Sequence, residues 1–155
     1  MIISKTPFRI SLIGGGTDFP SYYKRYPVLV IGGTINKYSY VTARHLPNVF
    51  NYKHRIVWSK NEVVNNINQI IHPTVKGVFR FLKINKGLEI HYQGDLQKNS
   101  GLGTSSSFCV GLINSLMTLN NKKISNKELA SKAIYIEQKI MKENSGSQDA
   151  IWASY

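Results

Sequence analysis

The chain has 155 residues, 42% of them hydrophobic and nine of them tyrosine, which suits one or at most two globular domains and excludes a disordered segment. Twenty Lys and Arg against eight Asp and Glu give a formal charge of +12, favouring an anionic ligand or partner. The basic residues stand in runs of no more than two, so a nucleic-acid surface is disfavoured; the single Cys109 excludes an internal disulfide; and no window is long and apolar enough for a membrane span.

Residues 1–13 read as a strand, with Ile2, Ile3, Phe8, Ile10, Leu12 and Ile13 apolar and Ser4, Arg9 and Ser11 between them. Lys5 and Arg9 interrupt this stretch, so it is no signal peptide and a cytoplasmic location is expected. It runs into Gly14-Gly15-Gly16-Thr17-Asp18, a turn that permits positive φ and close backbone approach. The spacing matches neither a Walker A loop nor a Rossmann fingerprint. Asp18 closes the turn, where an acid also serves as a cap on the short segment 19–23.

Residues 28–46 are β-rich, with a break expected at Gly32-Gly33, and 55–58 form a further short strand. The asparagine-rich stretch 61–71 reads as a poor helix or a loop. Pro73 opens a better helix, with Val75, Val78, Phe79 and Leu82 at helical spacing. Leu88-Glu89-Ile90-His91-Tyr92 alternates as a strand.

The most informative stretch follows: Asn99-Ser100-Gly101-Leu102-Gly103-Thr104-Ser105-Ser106-Ser107, then the apolar run from Phe108 to Ile113. Two glycines and four consecutive hydroxyls opening a buried helix describe either an ordinary Ser/Thr cap or an anion cradle. In the second case backbone N–H groups face a phosphate and a hydroxyl ligates Mg²⁺. Cys109, inside that run, is expected to be a buried structural thiol.

Ser125-Asn126-Lys127-Glu128 fits a capping box that starts a second helix. Leu129, Ala130, Ala133, Ile134, Ile136, Ile140 and Met141 form one arc of it. Glu137 falls near the middle of that arc, where a carboxylate needs a cation, a metal or hydrogen-bond donors. The alternatives are a satisfied core carboxylate or an arc edge where the helix ends early. The chain closes with a Gly146 turn into an apolar segment, with Asp149 in its first turn, a common place for a capping acid. His45, His54, His72 and His91 lack metal-ligand spacing, so any metal would take oxygen ligands, which implies Mg²⁺.

Three of the eight acids, Asp18, Glu137 and Asp149, sit in glycine turns or on a buried face. With a hydroxyl-rich phosphate loop they suggest phosphoryl transfer. Three blocks, in order, then resemble the amino-terminal half of the GHMP-type small-molecule kinases, the family of galactokinase, homoserine kinase and mevalonate kinase. They are Thr6 through Pro20, Gly94 through Ser107, and Gly146-Ser147-Gln148-Asp149. The triple glycine before Thr17-Asp18 and the Gln148-Asp149 pair are similar to the branch that phosphorylates heptose 7-phosphate and related sugars at the anomeric hydroxyl.

The resemblance implies an α+β fold, a mixed sheet packed against helices in a ribosomal-protein-like domain, spanning 1–155 as one ATP-binding domain without the family's C-terminal domain. It implies ATP and Mg²⁺. Gly101, Leu102, Gly103, Thr104, Ser105 and Ser106 would hold the triphosphate; Ser105 and Glu137 the metal; Asp149 would face the acceptor hydroxyl, with Arg9 near the transferred phosphate; Gly15, Gly16, Thr17 and Asp18 would bind the sugar phosphate. Gln97 stands where the family often has proline, and Ser147 and Ala150 where the heptose branch usually has Lys and Gln. The alternative function is a catalytically silent nucleotide-binding remnant, or a half-protein that needs a partner chain, a missing domain or self-association.

Overall fold

The computed structural model describes residues 1–97 and 100–155, so Asn99, the first residue of the glycine–hydroxyl stretch, lies outside the described residues. Five strands form one mixed sheet in the order β1-β2-β5-β3-β4: β1 (Ile2–Ile13), β2 (Ile31–His45), β3 (His54–Val57), β4 (Asn61–Val64) and β5 (Leu88–Gly94). Neighbours run antiparallel except β3 and β5, which are parallel. The helices are a short α1 (Pro20–Tyr23), α2 (Pro73–Phe81), α3 (Thr104–Leu119), α4 (Asn126–Tyr135) and α5 (Gln148–Ser154). The expected α+β class is what the chain forms.

The core lies between the sheet and α2, α3 and α4, where Val41, Ile56, Ile90, Val78, Phe79, Leu112, Ile113, Leu116 and Ile136 are buried. Helix α3 is buried along most of its length, as expected for a helix that is apolar nearly all round. Cys109 is fully buried, and burial raises its thiol pKa well above the ordinary value, which fits a structural thiol. Among the described residues, no helix is long and apolar enough to cross a membrane.

Two close contacts dock α3 onto β1. Ser4 Oγ donates to the Gly111 carbonyl at 2.8 Å, and Ser107 Oγ to the Pro7 carbonyl at 2.8 Å. A Cβ at Gly111 would lie 2.8 Å from Thr6 Oγ1 and 3.1 Å from Ser4 Oγ. Gly111→Ala would gain about 1 kcal/mol of helix propensity, but overpacking at a buried seam costs about 1–3 kcal/mol. The variant is therefore expected to unfold at a lower temperature than the wild type; a rise in its Tm would refute this account of the seam.

Three expectations need correction. Gly32-Gly33 is no break but part of β2, while residues 28–30 lie outside the strand. Gly32 allows the close approach there, because a Cβ on it would lie 2.5 Å from the Ile10 carbonyl oxygen, at a stretch where the β1–β2 register shifts. The stretch 61–71 holds strand β4 and a 3-10 turn capped by Asn66 and Gln69. A buried Glu62 on β4 hides the alternation; its oxygens accept from Trp58 Nε1 at 2.8 Å and from the Ile71 and His72 amides. The helix expected through Met141 is α4 followed by one π turn, Ile136–Ile140. Its start is half a capping box: Ser125 Oγ accepts from the Glu128 N–H, while the Glu128 side chain pairs with Lys132 at 3.2 Å.

Candidate active site

The glycine–hydroxyl loop follows the end of β5 and opens α3. Gly101 and Gly103 both take left-handed φ, 75° and 74°. Gly103 also allows close approach, since a Cβ there would meet Arg9 Cγ at 3.3 Å and Asp149 Oδ2 at 3.4 Å. No acid stands in the first turn of α3 itself; the carboxylates near its start are those of Asp149, beside Gly103, and Glu137, beside Ser106.

Arg9 joins the loop to α5. Its Nε donates to Asp149 Oδ1 at 2.7 Å and Nη2 to Oδ2 at 2.7 Å, while Nη1 donates to the Gly101 carbonyl at 2.8 Å. The Arg9 backbone N–H bonds the Leu102 carbonyl at 3.2 Å. Asp149, expected to face the acceptor hydroxyl, and Arg9, expected near the transferred phosphate, thus form a forked pair, with side chains 12% and 24% exposed.

Asp18 does not cap segment 19–23. Its Oδ2 accepts from the backbone N–H groups of Ser147 and Gln148, at 2.7 and 2.6 Å, and so caps α5 from across the fold. In the turn before it, Gly15–Thr17 forms one 3-10 turn and Thr17 Oγ1 donates to the Gly14 carbonyl at 2.8 Å. Gly14, Gly15 and Gly16 line an open cleft of about 500 Å³ with Arg9, Ser11 and Gln148. Gly14 has φ 81°, and any Cβ on it would lie 2.0 Å from the Leu29 carbonyl oxygen. Ser11 and Gln148 also line this cleft; the sequence reading singled out Gln148 only as part of the Gln148-Asp149 pair, gave it no site role, and passed over Ser11 as a site residue. Ser11 sits two residues from Arg9 on the same strand, so strand alternation already placed both on one face.

Glu137 lies inside the π turn and is 1% exposed. Neither of its carboxylate oxygens has a hydrogen-bond partner among the described residues. Burial pushes its pKa up to about 7; the Ser106 hydroxyl beside it favours the charged form, and the negative charges of Glu143 and Asp149 oppose it. The first turn of α3 therefore divides its hydroxyls. Ser106 is buried beside Glu137, whereas Ser105, expected as the metal-binding hydroxyl, is exposed. An orphaned, buried carboxylate next to a hydroxyl-rich helix start fits a hard divalent cation completed by phosphate and water oxygens. Among the described residues no group of three or more His, Cys, Asp or Glu could hold a metal without such additions.

A second, more apolar pocket of about 290 Å³ adjoins the loop, lined by Trp58, His72, Tyr92, Thr104, Ser105 and Phe108 among others. Its rings pack edge to face, Tyr92 against Phe108 at 4.7 Å and Trp58 against His72 at 4.8 Å. A larger open hollow, about 840 Å³, lies beyond the start of β5 around His45, Phe50, Tyr52 and Gly87. It contains none of the residues that converge here, so size alone does not mark this site.

A solved D-glycero-D-manno-heptose 1-phosphate kinase from Bacteroides thetaiotaomicron matches with TM-score 0.88 and 26% identity, covering 100% of this chain and 54% of that one. Mevalonate kinase from Methanococcus jannaschii shares the fold, with TM-score 0.76 and 20% identity over 99% of this chain and 51% of that one. A D-glycero-alpha-D-manno-heptose 7-phosphate kinase from Campylobacter jejuni is 26% identical over 166 aligned residues, 99% of this chain and 48% of the relative. Residues 68–155 match the GHMP kinases N terminal domain, and the chain belongs to that family. It spans about half the length of these relatives.

Proposed function

We propose that this domain binds ATP at the loop 100–106 and transfers its γ-phosphoryl group to a sugar phosphate, with heptose 7-phosphate, phosphorylated at the anomeric hydroxyl, as the acceptor. The observation that carries this reading is the convergence of Arg9 on both Asp149 and the Gly101 carbonyl. It ties the acid that would meet an acceptor to the loop that would hold a donor. The names of the relatives from Campylobacter jejuni and Bacteroides thetaiotaomicron support the acceptor class.

Backbone N–H groups at the start of α3 and the hydroxyls of Thr104, Ser105 and Ser106 bind the triphosphate, and Gly101, Leu102 and Gly103 let it approach. The apolar pocket at Trp58, Tyr92 and Phe108 takes the base. Glu137, with Ser105 or Ser106, would hold Mg²⁺, which when bound neutralises charge on the phosphates. Asp149 orients the acceptor hydroxyl and accepts its proton as the new O–P bond forms and the bond to the γ-phosphoryl group of ATP breaks. Arg9 fixes the Asp149 carboxylate and places a cation beside the transferred group. Gly15 and Gly16 line the cleft on the acceptor side, Thr17 completes their turn, and Asp18 supports it through its hold on α5.

A coupled assay of ADP release with Mg²⁺, ATP and heptose 7-phosphate tests this reading. Acceptor-dependent ADP is expected, together with loss of the sugar's reducing end. Tight MgATP binding without acceptor-dependent turnover would favour a second reading, a nucleotide-binding half that needs another chain or domain. The observation favouring that reading is the bare apolar rim of the cleft, where Leu12, Ile13 and Leu29 are 73, 63 and 74% exposed.

A further inference from the structure

We propose that Gln148 is the positioning residue for acceptor recognition: its side-chain amide clips the glycine turn to β1 and fixes the wall that a sugar phosphate meets. This rests on the phosphoryl-transfer reading above and adds to it the residue that governs acceptor affinity.

Gln148 Oε1 accepts from Ser11 Oγ at 2.8 Å, and Nε2 donates to the Gly15 carbonyl at 3.2 Å. A carbonyl oxygen can only accept, so the orientation of the amide is dictated by its partners. The turn is pressed hard against this clip. A Cβ on Gly15 would lie 2.5 Å from Ser11 Oγ and 3.2 Å from Gln148 Nε2.

The backbone of Gln148 is held in return. Asp18, at the far end of the same turn, takes its N–H at 2.6 Å, and a Cβ on Gly146 would lie 2.1 Å from the Asp18 carbonyl oxygen. Turn and helix start therefore hold each other at two points: one through the Asp18 carboxylate, one through the Gln148 amide. The next residue, Asp149, is locked to Arg9.

This arrangement gives the acceptor side a rigid wall without bulk. Nothing lies within 4 Å of a Cβ built on Gly16, so the turn faces open space where it borders the cleft. Backbone groups of such a turn can recognise the hydroxyls of a sugar phosphate only if the turn is held still, because a mobile turn must be ordered at the expense of binding. Gln148 supplies that constraint from outside the reacting atoms.

Steady-state kinetics of the full chain with MgATP and heptose 7-phosphate tests the proposal in Gln148→Met and Ser11→Ala. Gln148→Met loses both hydrogen bonds at similar volume, and its acceptor KM is expected to rise about tenfold, more than kcat falls, with the KM for ATP unmoved. Ser11→Ala loses one bond, and an acceptor KM rise of about threefold is expected. It also keeps the test open should Gln148→Met fail to fold. Acceptor KM values equal to wild type in both folded variants, or parallel rises in the KM for ATP and for acceptor, would overturn the role of Gln148 alone. A wild type that neither binds nor phosphorylates heptose 7-phosphate would instead sink the acceptor reading itself, and this proposal with it.

Discussion

Asp149→Ala is expected to reduce acceptor-dependent phosphoryl transfer by about a thousandfold or more, the usual scale for losing both proton transfer and orientation at one group. The variant loses more than an acid. Arg9 is held at three points, two of them on Asp149 and one on the Gly101 carbonyl, so alanine leaves a mostly buried guanidinium without its counter-charge. For a partly exposed pair this costs about 1–2 kcal/mol. The variant should therefore also melt below the wild type, and the loop should lose its tie to α5. Arg9→Lys isolates the geometric part, because a lysine keeps the charge but cannot span both carboxylate oxygens and a carbonyl. It is expected to lose most of the activity at nearly unchanged net charge. The coupled assay and a thermal melt of each variant check these outcomes. Asp149→Ala turnover within tenfold of the wild type would remove Asp149 from the reaction.

Glu137→Gln is expected to raise the stability of the metal-free protein at alkaline pH while weakening its hold on MgATP. Burial raises the Glu137 pKa from 4.5 to about 7. Between those values the folded chain keeps a proton that the unfolded chain releases, so stability falls as pH rises through this window and stays low above it. The penalty accumulated by pH 8 is about 3 kcal/mol. Glutamine keeps the shape without the charge and abolishes that slope, so in EDTA the variant should exceed the wild type at pH 8 and match it near pH 4. With MgATP the order reverses, because a divalent cation favours the charged carboxylate that only the wild type can supply, and an affinity loss of about tenfold or more is expected. Denaturant titrations in EDTA across pH, with calorimetric MgATP titrations, provide the measurement. An unchanged pH slope in the variant would show that Glu137 is not the titrating group, and unchanged MgATP affinity would show that it is not the ligand.

The parts of the site that were legible in the sequence are those that local chemistry encodes. The two glycines and four hydroxyls before an apolar run mark a loop opening a buried helix, and that is where α3 begins. A carboxylate in the apolar arc marked Glu137 as anomalous, and it is buried with no hydrogen-bond partner for its oxygens among the described residues. Strand β4 was illegible for the opposite reason. Its inward Glu62 is satisfied by Trp58, four residues back across the β3–β4 turn, and by the backbone N–H groups of Ile71 and His72, nine and ten residues on, partners that strand alternation does not reveal. Periodicity misjudged the end of α4 as well, because one π turn widens the helix at Ile136–Ile140 and resets which residues face inward.

By itself the sequence determined the position of the glycine–hydroxyl loop and the three acids worth asking about, since each rests on spacing within a few residues of one element, while the α+β class followed from the family resemblance that the motifs carry. Only the tertiary structure decided what those acids touch. Arg9 and Asp149 meet across 140 residues, Asp18 reaches Ser147 across 129, and Gln148 reaches Gly15 across 133. Such partners are chosen by the register of β1 on β2 and by the seating of α3 and α5 against β1. The same local signals are compatible with many other pairings until the sheet and helices are packed. Asp18 shows the consequence: its place at a glycine turn suggested a ligand or a local cap, and the packed fold made it the cap of a helix from the far end of the chain.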